Sequence, residues 1–207
     1  TTFKNILIGV LSAVIVIAIG ASAYTAFASN EAVSQPAADP SVAAGNGNGN
    51  GAGTGDGTDI TSIPASDLSA EEAAALLFMR EEEKLAHDVY AQLDLRWGAN
   101  TRVFGNIANS EASHTESVRQ LLVRYSLPDP TATLAAGVFQ NTTLQNLYTQ
   151  LVGAGSVSLV DGLKVGAAIE EIDMIDLNKA LLETDNQDIT LVYQNLLKGS
   201  RNHLRSF

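Results

Sequence analysis

The 207-residue chain has no cysteine, which excludes disulfides, thiolate metal sites and cysteine nucleophiles together. Positive charge is also scarce: 12 Lys and Arg stand against 23 Asp and Glu, for a net charge of −11. That balance excludes nucleic acid as a partner, because phosphate backbones demand basic patches. An acidic surplus suits solubility or hard cations. No stretch of strict apolar–polar alternation suggests a strand. The glycines of Gly45–Gly57 precede no Lys-Ser/Thr and follow no strand, so they form no phosphate loop. Serine lies near histidine at Ser113/His114 and Ser200/His203, in neither case on a nucleophile elbow.

Charge is absent altogether from residues 6–23, an apolar run preceded by Lys4 and followed by Ala26-Phe27-Ala28. A basic residue, an apolar stretch and a small-x-small site are the parts of a secretory signal, and the run is just long enough to span a bilayer. Residues 1–29 therefore read as a signal peptide or, uncleaved, as a membrane anchor. The protein is expected to be exported, either secreted or tethered to the membrane. Residues 30–63 form a Gly/Asn-rich flexible linker with too little to bury to offset its ordering entropy. Residues 64–207 make the folded domain, expected to be truncated at Arg205-Ser206-Phe207, inside a helical pattern with no stop signal.

Within that domain the pattern is helical. Ser69-Ala70-Glu71-Glu72 is a capping box opening a helix to about Leu95, with Trp97-Gly98 as its stop. A second helix is predicted over about 101–125, closed by Pro128 and Pro130. A short third, capped by Thr142/Thr143, covers 142–152 and ends at Gly153-Ala154-Gly155. Ser158 caps a fourth running to about Thr184, and Asp185 a fifth from about 187 onward. Four long helices and one short one imply an all-α bundle.

The chain holds three histidines, each on a long helix beside acidic or polar neighbours. Glu83 and His87 are four apart in Glu81-Glu82-Glu83-Lys84-Leu85-Ala86-His87, a spacing that shares a face. Glu111-Ala112-Ser113-His114 has the three-residue spacing by which a carboxylate and an imidazole ligate one centre. The fourth helix carries Glu170, Glu171, Asp173 and Asp176, and the fifth repeats the three-residue spacing as Ser200-Arg201-Asn202-His203. Carboxylates neutralise and bridge divalent cations, while imidazole favours transition metals. Glu81 and Glu82 read as a solvated face. Glu170 and Glu171 point about 100° apart, so one faces inward, and Glu170 shares its face with Asp173 and Leu177.

Glu83–Tyr90 and Ile107–His114 resemble the first- and second-helix segments of the ferritin-like superfamily. More narrowly, Glu81–Tyr90, Ser110–His114, Ile169–Leu177 and Gly199–Phe207 resemble the exported prokaryotic family known as domain of unknown function 2202. The resemblance implies a ferritin-like four-helix bundle with one extra short helix. It also implies Glu83, Glu111, His114, Glu170 and His203 as metal ligands. Ser200 departs from the pattern, standing where a full di-iron site would want Glu; Asp173, Glu171 and His87 are the substitutes for that carboxylate. Tyr90 and Tyr193 are candidates for hydrogen bonds to the ligands.

Two classes of function follow. One is a protein binding one or two transition-metal ions, iron first with manganese or zinc as alternatives, acting as a ferroxidase, a peroxide-consuming oxidoreductase or a metal store. The other is a non-enzymatic interaction module with a metal-free polar core. A homodimer is compatible with either.

Overall fold

The computed structural model describes residues 59–207. The apolar run at 6–23 and the Gly/Asn-rich stretch through Thr58 lie outside them. Five helices follow in order: α1 (Ala70–Trp97), α2 (Val103–Arg124), α3 (Thr142–Gly155), α4 (Leu159–Glu183) and α5 (Gln187–Leu204). No strand occurs among the described residues, and no helix there is long and apolar enough to cross a membrane.

Local chemistry explains where the helices begin. Ser69 Oγ accepts the Glu72 amide at 3.1 Å while Glu72 Oε2 accepts the Ser69 amide at 2.9 Å, satisfying two groups the helix leaves unpaired. Ser158 caps α4 through the Asp161 amide. The cap of α3 is Asn141, one residue before the expected threonines, and its side chain accepts from Thr143 and Leu144. Asn186, not Asp185, sits at the N-cap of α5 and makes no side-chain cap bond there. Its amide nitrogen reaches instead to the Asp67 carbonyl and Glu72 Oε1, tying the α4–α5 link to the start of α1.

Helix ends differ from expectation for packing reasons. α3 includes the Gly153-Ala154-Gly155 expected to stop it, ending at Gly155, whose carbonyl accepts the Trp97 indole N–H at 2.9 Å. Gly98 closes α1 in right-handed helical conformation (φ −59°) rather than a left-handed cap. Ile60, within the stretch expected to be linker, is buried in the core, and Arg124 donates to its carbonyl.

The four long helices form a ring: α1 packs on α2 and α4, and α5 on α2 and α4, with α3 laid across α1 and α4. The apolar core is divided in two. One cluster gathers Leu85, Val89, Leu93, Phe104, Leu151 and Ile169 with their neighbours. The other gathers Leu76, Met79, Leu121, Leu177, Val192 and Leu196. α1, α2 and α4 each contribute to both clusters, α5 packs in the second and Phe207 beyond its end in the first, and between the clusters the inward residues are polar.

Candidate metal centre

The polar layer comprises Glu82 and Glu83 on α1, Glu111 and His114 on α2, Glu170, Asp173 and Asp176 on α4, and Ser200 and His203 on α5. All are buried except His114, which is nearly so. Glu83, Glu111 and His114 form one group whose ligand atoms lie within 4.8 Å of one another. Glu111, Glu170 and His203 form a second. Glu111 belongs to both, and its two oxygens divide the work: Oε2 lies 2.9 Å from His114 Nδ1, and Oε1 lies 2.8 Å from His203 Nδ1. Glu83 Oε2 approaches His114 Nδ1 at 3.4 Å, and Glu170 Oε2 approaches His203 Nδ1 at 3.5 Å. The imidazoles lie side by side, ring centroids 5.4 Å apart.

These contacts are close without being hydrogen bonds. Both Nδ1 atoms are ion-paired to Glu111 without meeting hydrogen-bond geometry, and Glu83 Oε1 is buried without a hydrogen-bond partner. Within each group the ligand atoms are close enough together to share one ion. The unpartnered Glu83 oxygen is costly where it is buried, and a cation relieves that cost. The residues present thus fit a transition metal: three carboxylates for charge and two imidazoles for selectivity.

The surroundings fix the ligands in place. His203 Nε2 lies 2.9 Å from Ser110 Oγ, leaving Nδ1 facing Glu111. Tyr90 Oη donates to Glu170 Oε1 at 2.5 Å, with the Gly166 carbonyl 3.0 Å away. Ser200 donates to Asp173 Oδ2. Gly199 leaves the space His114 needs, since a β-carbon there would collide with the imidazole.

Charge follows from the burial. Desolvation pushes the Glu83 carboxyl up to about 7, although His114 beside it pulls the other way. Burial lowers the affinity of His203 for its proton, but Glu111 and Glu170 outweigh it and hold the ring at about 9. His114 is likewise raised by Glu111 and Glu83 against burial. Glu111 is resisted by desolvation yet held well below the usual carboxylate range by the two imidazoles.

Not every candidate joins the centre. His87 stands apart, its ring more than a third exposed and Nδ1 2.9 Å from Asp88 Oδ1. Glu171 is exposed. Tyr193 packs in the apolar cluster, and its hydroxyl has no hydrogen-bond partner.

The solvated face expected at Glu81 and Glu82 is overturned: both are buried. Glu81 Oε2 accepts the Gln140 and Asn141 amides at 2.6 and 3.0 Å, anchoring the α2–α3 connection. Arg80 pins the same connection through Asp129, and Asp88 through the Gly137 amide. Glu82 faces Asp176, and burial followed by that second carboxylate raises it well above its usual range. Ser110 and Gly199 carried no signal of their own, since a serine or glycine on a helix is commonplace until the fold sets a histidine beside it.

The chain is 50% identical over 148 residues to the uncharacterized protein MJ0754 of Methanocaldococcus jannaschii, covering 72% of this chain and 79% of that one. The crystal structure of hypothetical protein MJ0754 from Methanococcus jannaschii superimposes with a TM-score of 0.68, covering 70% of this chain and 82% of that one. The model of an uncharacterized protein domain, DUF2202, matches residues 72–207, which span all but the first two residues of α1 and every later helix. The chain belongs to the DUF2202 family.

Proposed function

We propose that the helical domain binds a pair of transition-metal ions, iron first, in an exported protein of ferritin-like type. The observation that supports this most is the division of Glu111: one buried carboxylate turns each oxygen toward a different imidazole, each accompanied by its own further carboxylate. A bridging carboxylate between two Glu/His pairs on four helices is how bundles hold paired metals. The apolar run at 6–23 supports export. Iron bound there would supply redox and Lewis-acid chemistry; the chain's own residues supply the charge, the two nitrogen donors, and the apolar clusters on either side that restrict water.

The test is elemental analysis of the purified chain after anaerobic reconstitution with Fe(II), and separately with Mn(II) and Zn(II), beside the Glu111→Ala and His114→Ala variants. Metal near two ions per chain, abolished by Glu111→Ala and reduced by His114→Ala, is expected. A folded chain that takes up none of the three metals would falsify the reading. The buried acids and histidines would then form a structural polar core of a non-enzymatic module.

A further inference from the structure

Resting on the metal reading, we infer that Asp173 is a further ligand of the centre, supplying from α4 the carboxylate that Ser200 does not provide from α5.

The two residues are already partners between the adjacent helices α4 and α5. Ser200 is fully buried and donates its hydroxyl to Asp173 Oδ2. The other oxygen, Asp173 Oδ1, is buried and has no hydrogen-bond partner at all. Asp173 lies three residues beyond Glu170, hence on the same face of α4 as a residue of the centre. Burial first, then the neighbouring Glu83, Glu111 and Glu170 carboxylates, disfavour its charge, and it lies beside the two three-residue groups rather than within either. Glu82 is the competing candidate; after burial it is acted on by Asp176, then by Asp173 and Glu83, and it shares a ligand group with neither histidine.

Charge counting favours a fourth carboxylate. Glu83, Glu111 and Glu170 carry three negative charges when ionised, against four positive charges on two divalent ions. Asp173 brings the buried assembly to neutrality with both histidines uncharged, and an uncompensated buried charge is expensive. A glutamate at 200 and an aspartate at 173 deliver the same charge from neighbouring helices. Serine, being small, leaves Asp173 its place and offers one hydrogen bond to hold the oxygen not turned to the metal.

The experiment is metal stoichiometry and affinity of the full chain, with Mn(II) and Fe(II), for wild type, Asp173→Asn, Ser200→Ala and the double variant Asp173→Asn with Ser200→Glu. Wild type is expected to hold two ions, and Asp173→Asn one, with the second bound at least about tenfold more weakly. Ser200→Ala keeps both, and the double variant regains the second. Two ions held with unchanged affinity by Asp173→Asn overturn the assignment and leave the metal centre standing. So does a wild type that saturates at one ion, whereas a wild type that binds none sinks the metal reading itself. Anomalous diffraction from Mn(II)-loaded wild type asks the same question without any substitution: an ion directly on a carboxylate oxygen of Asp173 supports the role, and an ion with water in that position refutes it.

Discussion

At the scale of single residues, the centre depends on small groups as much as on its ligands. Gly199→Ala places a methyl where the His114 ring lies, and nothing else about α5 needs to change. Metal affinity is expected to fall about tenfold or more while helical content stays at the wild-type level, measured by metal titration beside circular dichroism. Unchanged affinity would show that the ring has room to move. Ser110→Ala removes the partner of His203 Nε2 and is expected to weaken binding about 10- to 100-fold. Loss in that variant, with the ligand set intact, separates orientation of the imidazole from its presence. Glu111 and His114 were legible in sequence because the three-residue spacing is a local property of one helix. His87 was misleading for the same reason: four residues on, its side chain is turned about 40° round α1 from the inward Glu83, and Asp88 pairs with the ring at the surface.

At the scale of elements, the start of α1 is a junction rather than a simple cap. Ser69→Ala breaks the capping box alone and is expected to cost about 1 kcal/mol. Glu72→Ala also removes the acceptor for Thr184 and Asn186, so it is expected to cost roughly 2–3 kcal/mol, since a buried donor left unpaired carries its own penalty. Urea unfolding of both variants checks the ordering, and equal losses would mean that the α4–α5 link draws nothing from Glu72. α3 supplies no residue to the centre but closes one apolar cluster through Leu144, Leu147 and Leu151. Leu151→Ala is expected to lower stability by about 2–5 kcal/mol and leave metal stoichiometry at the wild-type value. Helix number and type were readable from caps and apolar spacing. The depth of Glu81 and Glu82 was not, because an acidic run on a helix looks the same whether it faces water or the backbone amides of a crossing loop.

At the scale of the whole molecule, the polar layer makes stability depend on pH and on metal together. Glu83 has a native value of about 7, above its ordinary 4.5, owing first to burial. Asp173 and Glu170 are also raised, first by burial. Each of these acids penalises the ionised native state, so stability falls as pH climbs above the usual carboxylate range. His203, held at about 9 against an ordinary 6.5, contributes stability fully present below 6.5 and lost as pH rises through 9. Glu111 acts oppositely, adding stability above its ordinary value that is lost on acidification below it. The metal-free protein is therefore expected to melt at progressively lower temperature from pH 5 to pH 9. Metal replaces the protons, so binding tightens over the same range. At a hundredfold excess over Kd, metal adds about 2.7 kcal/mol, and the gap between loaded and metal-free melting temperatures widens with pH. A metal-free melting temperature that is flat or rises across that range would show that the layer is not charged as described.

The sequence by itself determined an all-helical domain, its cap at Ser69, and a Glu-x-x-His pair on the second helix, because capping and helical spacing act between residues a few positions apart. Only the tertiary structure decided that Glu111 turns one oxygen toward each imidazole, that Asp173 sits opposite Ser200, and that Glu82 is buried against Asp176. These are relations between side chains on different helices. They depend on helix rotation and depth, and those are set by how the two apolar clusters pack above and below the polar layer.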